Sequence, residues 1–119
     1  MGNKIITPSI PLILASASKI RSEILKKAGI EFSVVISDIN EEKLKNKIIN
    51  KSITEIAITL ASEKAFNVSK NNPNSYVIGA DQICNLNNKI FSKPNTIDNA
   101  IKQLKQLSGK THKQTSGIS

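Results

Sequence analysis

Two periodicities alternate along this chain, and together they constrain its fold more than any other feature. Short apolar runs suited to strands recur between longer segments whose apolar residues return every three or four positions. Pro11 to Ser16 is an apolar run ending in small polar residues, which suits a buried strand feeding a turn. Ser18 is placed to cap a helix over Lys19 to Ala28 that Gly29 closes. Ile30 to Ile36 reads as a second strand, and the polar residues 37–51 as a loop with one weak helical turn. Ser52 and Glu55 match a capping box. Behind them Ile53, Ile56, Ala57, Leu60, Ala61, Ala65 and Val68 carry a helical stripe to about Ser69. After a turn at Asn71 to Asn74, Tyr76 to Ala80 reads as a central strand that continues weakly through Ile83 and Cys84. Asn87-Asn88 turns the chain back into Lys89 to Phe91. A last helix carries Ile97, Ala100, Ile101, Leu104 and Leu107 and stops at Gly109, and another strand begins at Thr111. Without repeats or a linker, residues 1–119 read as one α/β unit.

Composition narrows the functional classes. With 119 residues the chain holds about one domain. Its aromatics are Phe32, Phe66, Phe91 and Tyr76, so branched aliphatics must build the core. The single Cys84 excludes an intramolecular disulfide framework and a CxxC metal site, and reads as a small core residue. The lone His112 supports neither a histidine metal cluster nor a Ser-His-Asp triad. No apolar run reaches the roughly 18 residues of a membrane span and no signal-peptide core is evident, so a cytoplasmic protein is expected. Seventeen Lys and Arg against nine Asp and Glu give a net charge of +8, which favours anionic partners. Sixteen of those cations are scattered lysines, which equally describes a compositional bias. A nucleic-acid module is disfavoured, because aromatic stacking platforms and a recognisable binding motif are both missing. Neither GxGxxG nor GxxxxGK[ST] occurs, so the usual phosphate loops are absent.

Three residues defy their own element. Arg21 falls between Ile24, Leu25 and Ala28 on the apolar face of the first helix. There its guanidinium would reach over the helix N-terminus toward the Ser16 and Ser18 hydroxyls as an anion site, or else snorkel off the core rim. Lys64 stands where the stripe calls for an apolar residue. It needs a carboxylate or phosphate partner if buried, or escapes to solvent on its long stem. Asp81 follows Val77-Ile78-Gly79-Ala80 at or near a strand's carboxyl end, where ligand crevices of α/β sheets open; a turn-forming Asp is the alternative. Glu41 and Glu42 lie in a polar segment where solvated charge is the default.

Taken together, the segments resemble the Maf family of nucleoside triphosphate pyrophosphatases. Leu14-Ala15-Ser16-Ala17-Ser18-Lys19-Ile20-Arg21 with Ile24-Leu25 is similar to the family's LASxSPRRxxLL opening. Ser37-Asp38-Ile39-Asn40-Glu41 is near its DxDE, and Leu60-Ala61-Ser62-Glu63-Lys64-Ala65 matches LAxxKA. Val77 to Gln82, Ser92-Lys93-Pro94 and Leu107 to His112 follow in the family's order.

The resemblance implies a mixed sheet flanked by helices, similar to the Maf and inosine-triphosphatase folds. It implies a domain that continues past Ser119, of which this chain covers about the first three-fifths. It implies house-cleaning hydrolysis of the α–β phosphoanhydride of non-standard or modified nucleoside triphosphates, with a divalent metal, Mg²⁺ or alternatively Mn²⁺. By the same resemblance Asp81 looks like the general base, and Glu41 with Asp81 like the metal carboxylates. Ser16, Ser18, Arg21, Lys64 and Lys93 look like ligands of the phosphate chain. Three residues depart from the pattern: Lys19-Ile20 replaces the family's Pro-Arg, and Gln82 stands where the family often has Thr. The resemblance associates these positions with base selection, so Ile20 and Gln82 are expected to set specificity, and the Asp81-Gln82-Ile83-Cys84 run looks more like the 7-methyl-GTP subgroup than the dTTP/UTP one. The expected partner is the nucleotide, with neither membrane nor specific nucleic acid; a homodimer is left open. The alternatives to an enzyme are a non-catalytic regulator of septum formation or cell-division arrest, or an inactive fragment.

Overall fold

Strand β1 (Leu12–Ala15) is the most enclosed segment, with Ile13, Leu14 and Ala15 all buried. Successive strand residues point to opposite faces, so burial of all three requires cover on both sides of the sheet. The computed structural model describes residues 5–87, 89–91, 94 and 96–119. In it β1 pairs in parallel with β2 (Ser33–Val34) on one edge and with β3 (Tyr76–Leu86) on the other. β3 outruns β1, whose ladder ends at Ala15 opposite Gly79. Beyond that point β3 pairs antiparallel with β4 (Lys89–Phe91) and β5 (Lys113–Ile118). The five strands form one mixed sheet in the order β2-β1-β3-β4, with β5 also on β3. Helices α1 (Lys19–Lys27), α2 (Glu41–Lys47), α3 (Ile53–Ser69) and α4 (Ile97–Leu107) complete the expected α/β architecture.

Helices α1 and α3 begin where the sequence places their caps. Ser18 Oγ accepts from the Arg21 N–H to start α1, and Ser52 Oγ accepts from the Glu55 N–H to start α3. Gly29 and Gly109 take positive φ just past α1 and α4, a conformation that glycine adopts without steric cost.

Three expectations need correction. The second strand shrinks from Ile30–Ile36 to Ser33–Val34, because β1 offers it only a short parallel edge and Val34, Val35 and Ile36 stay exposed. The expected loop at 37–51 contains a two-turn helix, α2. Asn40 caps it by accepting from the Lys43 N–H at 3.0 Å. Glu41 and Glu42 stand at its N-terminus, and Lys45 and Lys47 at its C-terminus, the favourable arrangement for the helix dipole. Finally, β3 is one continuous strand, so Asp81 lies mid-strand, where the partner changes from β1 to antiparallel neighbours. The Asn88 half of the expected turn lies outside the described residues; Asn87 adopts φ 53°.

The core forms where α3 crosses one face of β3 and β5. Ile56, Ala57 and Leu60 of α3 close over Ile83, with Leu44 and Ile48 of the α2 segment packed at the side. Val68 at the far end covers Ile13, Ala15 and Val77. Two glycines allow the close approach: a Cβ on Gly79 would lie 2.0 Å from the Ala61 carbonyl oxygen, and one on Gly117 2.6 Å from the Ala57 backbone. The stripe of α4 stays outside this core, with Ile97, Ile101 and Leu104 exposed. Among the described residues no helix is long and apolar enough to cross a membrane.

Gly79→Ala should therefore destabilise the chain by about 2 kcal/mol or more, since backbone atoms must move to admit one methyl group. Gly109→Ala, where only the positive φ opposes a side chain, should cost about 1–2 kcal/mol. Urea unfolding of the two variants checks the order, and equal midpoints would contradict it.

Candidate active site

Asp81, Lys64 and Arg21 converge just past the carboxyl end of β1. Lys64 sits on the face of α3 that meets β3, and burial leaves its side chain 9% exposed. Its ammonium lies 3.1 Å from Asp81 Oδ1 and 2.7 Å from Glu41 Oε1, and it donates a longer bond of 3.5 Å to the Ala80 carbonyl. The position that breaks the apolar stripe is thus a buried ammonium with two carboxylate partners. The two arms differ: Asp81 is 10% exposed in its side chain and Glu41 41%, so water screens the Glu41 arm far more. The other oxygen of Asp81, Oδ2, is buried without a hydrogen-bond partner.

Arg21 approaches from the opposite face of the sheet. Its Nη1 donates to Ser16 Oγ and to the Ala80 carbonyl, each at 3.1 Å. Ser16 Oγ also accepts from the Ser18 N–H, which shapes the turn between β1 and α1. Ser18 Oγ caps the helix and does not meet the guanidinium. Among the described residues Arg21 forms no ion pair. It is half-buried rather than snorkelling, next to a helix N-terminus whose first turn carries no acidic residue.

These groups border one polar cavity of about 310 Å³, lined by Ser16, Ser18, Arg21, Glu41, Lys64, Asp81 and Gln82. A second, mainly apolar cavity of about 360 Å³ adjoins it between α1 and the open face of the sheet. Leu14, Ile20, Ile24, Leu25, Ile78 and Ile118 line it, and Ser18, Arg21, Asp81 and Gln82 border both cavities. The two positions singled out for specificity therefore both border the apolar cavity, Ile20 that cavity alone and Gln82 the polar one as well. Lys93 lies outside the described residues. His112 is exposed just before β5, and Cys84 is half-buried on β3. Two participants escaped the sequence reading. The Ala80 carbonyl, shared by Arg21 and Lys64, is backbone and carries no residue signal. Gln114, which accepts from Gln82 Nε2 at 2.6 Å, sits in an otherwise ordinary polar run.

A family model described as Maf-like protein matches residues 11–119. The chain belongs to the Maf-like family. Its similarity to curated members is substantial: a Legionella pneumophila (strain Paris) protein named nucleoside triphosphate pyrophosphatase is 43% identical over 104 residues, covering 87% of this chain and 52% of that protein. A Brucella abortus biovar 1 (strain 9-941) protein named 7-methyl-GTP pyrophosphatase is 42% identical over 112 residues, covering 92% and 56%. The chain thus spans about half the length of the curated relatives it matches. Within this Maf-like chain the motifs are no longer separate: of the six, three deliver Ser16 and Arg21, Lys64, and Asp81 to one pair of cavities, and a fourth delivers Glu41.

Removing one partner of a buried ion pair strands the other charge, at a cost of about 3 kcal/mol or more, whereas an exposed arm contributes under about 1 kcal/mol. Lys64→Met should therefore lower unfolding stability by about 3 kcal/mol, and Glu41→Gln by under about 1 kcal/mol. Adding Asp81→Asn to Lys64→Met should restore part of the loss. Equal penalties for the two single variants in denaturant titrations would show that burial does not separate the arms.

Proposed function

We propose that this site binds a nucleoside triphosphate and hydrolyses its α–β phosphoanhydride to a nucleoside monophosphate and pyrophosphate. One complementary defect carries the reading. Arg21 is a half-buried cation without a carboxylate among the described residues, while Asp81 Oδ2 is a buried carboxylate oxygen without a donor. A phosphate chain supplies what the first lacks and a water nucleophile what the second lacks. The names of the Legionella and Brucella relatives support the same reaction class.

In this reading the phosphates occupy the polar cavity, facing Arg21, the Ser16 and Ser18 turn and the amino end of α1, which together favour negative charge. Lys64 serves two purposes. It fixes the Asp81 carboxylate through Oδ1, and it keeps a positive charge beside the phosphates. A water attacks the α-phosphorus, Asp81 takes its proton at Oδ2, and the bond to the bridging oxygen breaks as pyrophosphate leaves with the electron pair. Lys93 is proposed as a further phosphate ligand by its motif alone.

The residues also fit a divalent cation. Glu41 and Asp81 offer hard carboxylate oxygens and already converge on one positive charge, the Lys64 ammonium. Among the described residues no cluster of three or more His, Cys, Asp or Glu is present. Mg²⁺ commonly needs only one or two carboxylates alongside substrate phosphates and water, and Mn²⁺ accepts the same donors. Glu41 and Asp81 would hold it, and when bound it offsets charge on the phosphate oxygens.

The base is assigned to the apolar cavity, bordered by Ile20 and Gln82. An aliphatic residue at 20 and a carboxamide at 82 favour 7-methyl-GTP or another modified purine over dTTP and UTP.

Pyrophosphate release across a triphosphate panel tests the proposal, with kcat/KM highest for the modified purine. Asp81→Asn should reduce turnover by about a hundredfold or more with triphosphate binding retained, as expected for loss of a general base. Undiminished turnover in that variant would remove Asp81 from the reaction, and a higher kcat/KM for dTTP would reverse the substrate assignment.

A further inference from the structure

Gln82 does not present its carboxamide freely to the apolar cavity. Its Nε2 donates to Gln114 Oε1 at 2.6 Å across the β3–β5 ladder. Gln82 lies opposite Ser116, and Gln114 lies opposite Cys84, so the two glutamines are diagonal neighbours on one face of an antiparallel pair. Long side chains span that diagonal distance. The small Ser116 directly opposite Gln82 leaves the path open. Gln82 borders both cavities, whereas Gln114 borders neither.

A carboxamide has one donor end and one acceptor end. Gln114 engages the donor end and turns it toward β5. The carbonyl Oε1 is the end left for the cavity, and among the described residues no donor reaches it. We infer that Gln114 is a positioning residue for base selection: it orients Gln82 so that the cavity presents an acceptor, favouring bases with an exocyclic amino group over their oxo counterparts. An amino group donates to Oε1, whereas an oxo group at the same place sets two acceptors against each other and leaves both unpaired. The inference rests on the assignment of the base to the apolar cavity, but it does not require that the bound nucleotide be hydrolysed.

The test is equilibrium binding of α,β-methylene triphosphate analogues to the 119-residue chain, using the pairs cytosine against uracil and adenine against hypoxanthine. Each pair exchanges an amino for an oxo group. Wild type should bind the amino member of at least one pair about three- to tenfold more tightly, the worth of one net hydrogen bond. Gln114→Glu, still an acceptor, should keep that ratio. Gln114→Lys carries only donors and draws Gln82 Oε1 toward β5; it should abolish or reverse the ratio. Far-ultraviolet circular dichroism of the variants verifies that β5 is retained. Ratios near one in wild type, or ratios that Gln114→Lys leaves unchanged, would overturn the inference. Amino preference without pyrophosphate release from any triphosphate would overturn the hydrolase reading alone. Hydrolysis without amino preference would overturn this inference alone, and failure to bind any analogue would overturn both.

Discussion

The buried ammonium of Lys64 is the constraint around which the rest of the structure is arranged. Taking a charge out of water costs several kcal/mol, and only close, well-oriented partners offset that cost. Lys64 finds them on two other elements: Glu41 at the start of α2, and Asp81 with the Ala80 carbonyl on β3. The ion pairs therefore tie α2, α3 and β3 together at one point. They also hold two carboxylates on one positive charge, an arrangement that a core built only of Ile, Leu and Ala would not produce.

Reaching that geometry depends on small residues. α3 comes within van der Waals limits of β3 only because Gly79 lacks a side chain beneath Ala61 and Ala65, and it approaches β5 because Gly117 lacks one beneath Ala57. Lys64 lies in this close-contact stretch of the helix, one residue before Ala65. A larger residue at 79 would lift α3 and lengthen the reach from Nζ to Asp81. Packing and electrostatics are thus coupled: the same contact that removes Leu60 and Ile83 from water brings the ammonium to its carboxylate.

The sheet divides the chemistry between its two faces. The α3 face carries the ion-pair cluster, and the α1 face carries an open apolar cavity, with Arg21 reaching from the α1 side to the Ala80 carbonyl that Lys64 also contacts. The position of Asp81, where β3 leaves β1 for antiparallel partners, places it on the border of both cavities. A ligand with an anionic end and an apolar end suits that division. The net charge of +8 adds long-range attraction for such an anion but does not define the site.

Much of this was legible in the residues themselves. Caps at Ser18 and Ser52, the α3 stripe and the apolar β1 run rest on local rules of backbone hydrogen bonding and burial, so the sequence by itself determined those elements and the α/β class. It also marked Lys64, Arg21 and Asp81, because a charge on an apolar face needs a partner wherever the chain folds. The identity of each partner was a tertiary matter. Glu41 stands in a polar run that residue pattern alone does not separate from solvated surface; the family resemblance marked it as a carboxylate of the site, but its pairing with Lys64 follows only from α2 packing beside α3. The Ala80 carbonyl has no side-chain signature, and Gln114 meets Gln82 only through the register of β5 on β3. The length of β2 and the mid-strand place of Asp81 were likewise set by which edges were available for pairing. Local propensity reads along the chain, whereas register and close packing depend on residues tens of positions apart, and only the folded chain brings those together.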